Sequence, residues 1–121
     1  MAQYVDGFVI PIKRKNVAAY KKMATWGRRV WMKHGALSYY ECIADDFVKH
    51  GTGFKKMCKL KSDETIVFAY IVFKSKAHRN KVNKKVHEEM HESMMKLKKP
   101  FKMPFDSKRF ATAGCKAIVR A

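Results

Sequence analysis

Residues 65–73 read TIVFAYIVF, nine positions without a charge and with one small polar side chain, Thr65. A half-covered strand alternates apolar and polar residues, because successive side chains point to opposite faces. A run that is apolar on both faces is covered on both and belongs in the middle of a sheet. Three further strand-like segments flank it: YVDGFVIPI near the N-terminus, expected to stop near Pro11, LSYYECIA at 37–44 and FATAGCKAIV at 110–119. In the second of these, strand alternation puts Leu37, Tyr39, Glu41 and Ile43 on one face.

Two helices separate the strands. The first is expected from Asn16 to Lys33, with Val17, Tyr20, Ala24, Gly27, Trp31 and His34 on one stripe at three- and four-residue spacing. Gly35 is placed to stop it. The second begins after Ser75, a good N-cap, and runs toward Leu97, with Pro100 and Pro104 forbidding continuation. Its apolar stripe is Val82, Val86, Met90 and Leu97, with His78 on the edge. The element order is βαββαβ. The expected fold class is α+β, ferredoxin-like, a four-stranded antiparallel sheet with two helices on one face. At 121 residues the whole chain, 1–121, is read as one domain.

Composition narrows the classes. No apolar run approaches the roughly 20 residues needed to cross a bilayer, so no membrane partner is expected. The acid ahead of the first apolar run is the wrong order for a secretory leader. Three cysteines, Cys42, Cys58 and Cys115, show no metal-type pairing and read as buried, reduced thiols in a cytoplasmic protein. The formal net charge of +17 invites a nucleic-acid partner. Yet 21 of the 27 basic residues are Lys, which is less suited than Arg to bidentate recognition. Lys21, Lys22, Arg28, Arg29 and Lys33 on the first helix, with Lys81, Lys84 and Lys85 on the second, would form one broad basic surface. Against base recognition, DGFVIPI keeps only a Gly-Phe of the RNA-recognition fingerprint and puts Asp6 where a basic residue belongs.

HEEMH, residues 87–91, matches the zinc-and-base pattern of metalloproteases. Helical geometry argues against it: His87 falls about 100° and His91 about 140° from the middle of the apolar stripe. Both point away from any cleft, and no downstream His completes the ligand set. Opposite charges four apart, such as Lys85 with Glu89, read as the lacing of an exposed helix. Neither a metal nor another cofactor is expected. Asp6 interrupts an apolar strand and is placed to pair with a nearby base. The candidate cleft residues are His78 and Arg79, joined by an acid from Asp106 or Glu41, with His34 as a further, structural candidate. The role of the Lys-rich connection at 49–62 is open.

Four segments in order, YVDGFVIPI, HGALSYYECIADD, SKAHRNKVN and MPFDSKRF, resemble domain-of-unknown-function family 1428, the YbaA-like proteins. The resemblance spans nearly the whole chain. It departs from the family pattern in the Lys-rich loop after Asp46 and in residues 87–103. It implies a dimeric α/β barrel, in which the open sheet face packs on a second copy. It implies no established activity and no catalytic set. Some members bear a label naming a signal-recognition-particle RNA protein, and the wider superfamily includes small monooxygenases, isomerases and haem-linked enzymes that work in the cleft between sheet and helices. The resulting expectation is a cytoplasmic homodimer of unknown role that binds a small ligand in that cleft. The alternatives are a basic RNA-associated protein and a cofactor-free monooxygenase or isomerase.

Overall fold

The computed structural model describes residues 2–48 and 50–121; Lys49, at the head of the Lys-rich connection, lies outside the described residues. Strand β1 (Tyr4–Lys13) leads through a 3-10 turn into helix α1 (Val17–Lys33), followed by strand β2 (Ser38–Ile43), a four-residue helix α2 (Phe54–Met57), strand β3 (Glu64–Phe73), helix α3 (Lys76–Met95) and strand β4 (Ala111–Lys116). The sheet order is β2-β3-β1-β4, and every neighbouring pair is antiparallel. This is the ferredoxin-like arrangement, in which each half is a βαβ unit split by a strand of the other.

Strand β3 stands between β1 and β2, as its apolar character requires. Its register with β1, Ala69 opposite Phe8 and Val67 opposite Ile10, turns Thr65, Val67, Ala69, Ile71 and Phe73 toward the helices, and all five are buried. The core falls into two groups. One joins Ile10, Ile12, Val67 and Ala69 to Tyr20 and Ala24 of α1. The other joins Ile71 and Phe73 to Val30 of α1 and Val82 and Val86 of α3. Helix α1 ends where Gly35 adopts a φ of 111°, in the left-handed region that a side chain disfavours. Helix α3 starts at Ser75, whose hydroxyl accepts the His78 N–H at 3.1 Å.

Three boundaries differ from those expected, each for a local reason. Strand β1 passes through Pro11 and continues to Lys13. Proline has no N–H to donate, but β4 begins only opposite Val9, so on that side Pro11 has no ladder to interrupt. Strand β4 stops at Lys116, leaving Ile118 and Val119 88% and 87% exposed. Its partner β1 starts only at Tyr4, and the last bridging contact is Ala117 N–H to the Gln3 carbonyl at 2.9 Å. The Lys-rich connection, which its length suggests is a surface loop or flap, carries α2 back over the sheet, with Phe54 stacked on Phe68 at 6.1 Å between ring centroids. The thiols also differ: Cys42 and Cys115 are exposed rather than buried, because both sit on edge strands and point to the face opposite α1 and α3.

Candidate functional site

A cavity of about 210 Å3 lies between the sheet and the helices, bordered by members of both core groups. Its floor is Phe8, Ala69 and Ile71 of the sheet, and its roof includes Trp26 and Trp31 of α1. The segment between α3 and β4 closes one side. It carries Phe105, which meets Tyr20 edge-on at 6.0 Å and stacks on Phe110 at 5.6 Å. The lining is almost wholly apolar and aromatic, and the one charged side chain in it is Glu41.

Strand alternation puts Tyr39 and Glu41 on the helix side of β2, opposite Ile71 and Ala69. The Tyr39 hydroxyl donates to Glu41 Oε2 and the Tyr20 hydroxyl, from α1, donates to Glu41 Oε1, each at 2.6 Å. Burial pushes both phenols far above their ordinary pKa, and the hydrogen bonds to Glu41 push them further in the same direction. Both hydroxyls are thus held as neutral donors to the carboxylate. Each Glu41 oxygen keeps one lone-pair direction free. Gly27 makes the arrangement possible, since a Cβ there would come within 2.9 Å of the Tyr39 hydroxyl. The signal for this triad was present as Tyr-x-Glu on one strand face together with a tyrosine in the buried stripe of α1.

The other expected cleft residues lie elsewhere. Arg79 is held by Asp6: its Nε lies 3.3 Å from Asp6 Oδ1, its Nη2 donates to the Tyr4 hydroxyl at 3.2 Å, and its guanidinium sits 4.8 Å over the Tyr4 ring. Asp6 also accepts from Asn83 Nδ2 at 3.2 Å, and Asn83 Oδ1 accepts the Trp31 indole N–H at 2.9 Å. A Cβ on Gly114, opposite Asp6 on β4, would come within 2.5 Å of Arg79 Nη2. This partly buried polar chain ties α3 to β1 and to α1, and it holds the ring of Trp31 in the cavity roof. His78 accepts the Lys74 N–H on Nδ1 at 3.0 Å; burial first, then Lys74 and Lys81, hold its pKa below the ordinary value. Asp106 is exposed and accepts the Lys108 N–H at 3.0 Å, ordering the turn before β4. His34 lies 2.9 Å from Glu89. Of the five, Glu41 alone borders the cavity.

On α3, His87 and His91 are exposed, and His87 stands edge-on to Trp31 at 6.4 Å. Among the described residues, no group of three or more His, Cys, Asp or Glu could hold a metal ion. Glu89 reaches α1 rather than Lys85, with Lys33 Nζ at 2.8 Å. Lys21, Lys22, Arg28, Arg29, Lys33, Lys81, Lys84 and Lys85 are all exposed.

The opposite sheet face carries neither α1 nor α3, and the short α2 covers only one end of it. Tyr40 stacks on Tyr70 at 5.0 Å, Phe68 follows at 6.3 Å, and Phe54 caps the row. Tyr40 remains 53% and Phe68 41% exposed.

The family described as "Protein of unknown function (DUF1428)" matches residues 3–107. "Uncharacterized protein YbaA" of Escherichia coli (strain K12) is 35% identical over 119 residues, covering 97% of each chain. The proteins of that name in Escherichia coli O157:H7 and Shigella flexneri are similar to the same degree. Among solved structures, the de novo designed protein Foldit4 aligns over 98% of this chain and 99% of its own, with 11% identity and a TM-score of 0.43, a likeness too loose to bear on function.

Proposed function

We propose that this chain, which belongs to the DUF1428 family of proteins of unknown function, binds a small, mainly apolar molecule in the cleft between sheet and helices. The supporting observation is the cavity itself: an aromatic lining around one fixed polar group, the combination typical of small-molecule sites. The neutral probe 2-phenylethanol tests it. Titration should shift the methyl resonances of Ala24, Ala69 and Ile71 together, and Ala69→Phe, which fills the floor, should abolish those shifts while far-UV dichroism is unchanged. Shifts that are absent, scattered over the surface or insensitive to Ala69→Phe would remove the reading.

The enzymatic alternative would use this cavity with Glu41 as base, but the two phenols nearest that carboxylate are both engaged as donors to it, which favours binding. The RNA alternative rests on the exposed basic residues of α1 and α3. Its affinity should fall with salt, with a slope near −0.7 per phosphate contact for single strands. We place the protein in the cytoplasm, with three unpaired thiols as the support; among the described residues no helix is long and apolar enough to cross a membrane.

The same reading includes a homodimer through the sheet face opposite α1 and α3, as in a dimeric α/β barrel. The stacked row from Tyr40 to Phe54 is supported by Val5, Val9 and Val72 on the same face, with no charge among them. An apolar face of this kind is covered in most proteins, and a two-fold copy covers it sheet on sheet. Light scattering at micromolar concentration should give twice 14.1 kDa, and Phe68→Glu should return a monomer. Because each copy carries +17, association should strengthen with salt, opposite to RNA binding. A monomer at all salt concentrations would end this part of the reading.

A further inference from the structure

We propose that the cleft selects an organic cation: a primary or secondary ammonium on an aromatic or otherwise apolar body. The proposal rests on the cleft-binding reading above and deepens it. Glu41 is the one charged side chain among the residues lining the cavity, and no Lys, Arg or His lines it. None of the described ion pairs includes Glu41. Lys21 and Arg28 border a groove that reaches Glu41 from the outer side of α1, and both are exposed. What meets the carboxylate from within is two phenols, which donate hydrogen bonds but bring no positive charge.

A carboxylate in an apolar cavity is stabilised best by a counter-charge with N–H donors. The free lone-pair directions on both Glu41 oxygens are what an ammonium would use, since the tyrosines occupy one on each. The walls fit the same guest. Trp26, Trp31 and Tyr39 present ring surface around the cavity, and aromatic faces attract cations electrostatically. An anionic guest meets the opposite conditions: it would face the Glu41 carboxylate, and the two phenols beside that carboxylate have already given it their hydrogens. The overall charge of +17 repels a cation in the approach, but at physiological salt that field is screened beyond about 8 Å.

Three probes of one size separate the possibilities: 2-phenylethylamine as ammonium, 2-phenylethanol as neutral reference and phenylacetate as anion, each titrated against the full chain by calorimetry and Trp fluorescence. The ammonium should bind about tenfold or more tighter than the alcohol, and phenylacetate more weakly than either. Glu41→Gln, checked for folding by its thermal transition, should erase the ammonium preference and leave the alcohol bound. The ranking in the parent protein tests the sign of the guest's charge even if that variant does not fold. Equal affinity for amine and alcohol, a preference that survives in Glu41→Gln, or tightest binding of phenylacetate would each overturn the proposal while the cleft-binding reading stands. If the alcohol also fails to bind, the cleft-binding reading falls, and the proposal with it.

Discussion

Asp6→Ala is expected to lower the stability of the protein by about 3 kcal/mol, the low end of the cost of breaking a buried ion pair. Asp6 is buried, and Arg79 Nε, 3.3 Å away, is buried with no hydrogen-bond partner of its own. The carboxylate therefore supplies the charge that makes burial of the guanidinium tolerable. Removing it also strips Asn83 of an acceptor, and through Asn83 loosens the indole of Trp31. The low end is appropriate because the Arg79 side chain keeps 24% of its surface. Urea unfolding should show the loss as a shift in midpoint at constant slope. The double variant Asp6→Ala, Arg79→Met should recover most of it, since an apolar pair leaves no charge behind. A single variant within 0.5 kcal/mol of the parent would mean the pair is a surface interaction.

Arg109→Ala should cost a similar amount, about 3 kcal/mol at neutral pH, for a different reason. Arg109 Nη1 donates to Glu64 at 2.6 Å, and its Nη2 donates to the Cys58 and Lys59 carbonyls at 3.0 and 3.3 Å. One side chain thus joins the start of β3, the end of α2 and the turn before β4. Glu64 is 6% exposed and would be left without its cation. The pH dependence has a definite sign. The hydrogen bond from Arg109, and after it the Lys61 N–H, hold the Glu64 carboxyl below the usual carboxylate range. A depressed folded value means the pair stabilises fully above the unfolded value, about 4.3, and loses its effect as pH falls through the folded one. The difference between parent and Arg109→Ala should therefore be largest at neutral pH and shrink in acid below about pH 4. A difference independent of pH from 7 to 3 would show that the two carbonyl contacts, and not the ion pair, account for the effect.

The order and faces of the elements could be read from the sequence because each depends on local spacing. TIVFAYIVF could only be central, and the stripes on α1 and α3 set which side the helices cover. The pairing of Asp6 with a base was legible for the same reason, as a charge interrupting an apolar strand. The cleft was not. His78, Arg79 and Asp106 look like neighbours of a pocket when judged by chain position, but cap geometry occupies His78 and Asp106, and Asp6 takes Arg79. Glu41 was legible as facing the same way as Tyr39. That Tyr20 meets it depends on how far along β2 the first helix lies, a tertiary quantity with no local signature. The far wall depends on residues 101–110, whose prolines read as a connection and whose Phe105 gives no sign that it turns inward. Helix α2 escaped notice because four residues do not make a helix alone; Arg109 holds it.

Strand β4 begins opposite Val9, and Pro11 stands just beyond. An extension of that strand would meet a position with no N–H to offer, so the ladder does not run on past this end of the cleft. The chain between α3 and β4 closes that side instead, as an irregular wall that shares no ladder with the strands. Scaffold and selectivity are thereby assigned to separate stretches of polypeptide. Phe105, Arg109 and Phe110 pack on or tie down the folded core, while the length and side chains of 97–104 can vary without disturbing a strand pairing. One proline in the first strand thus makes the cleft a part that evolution, or a designer, can exchange.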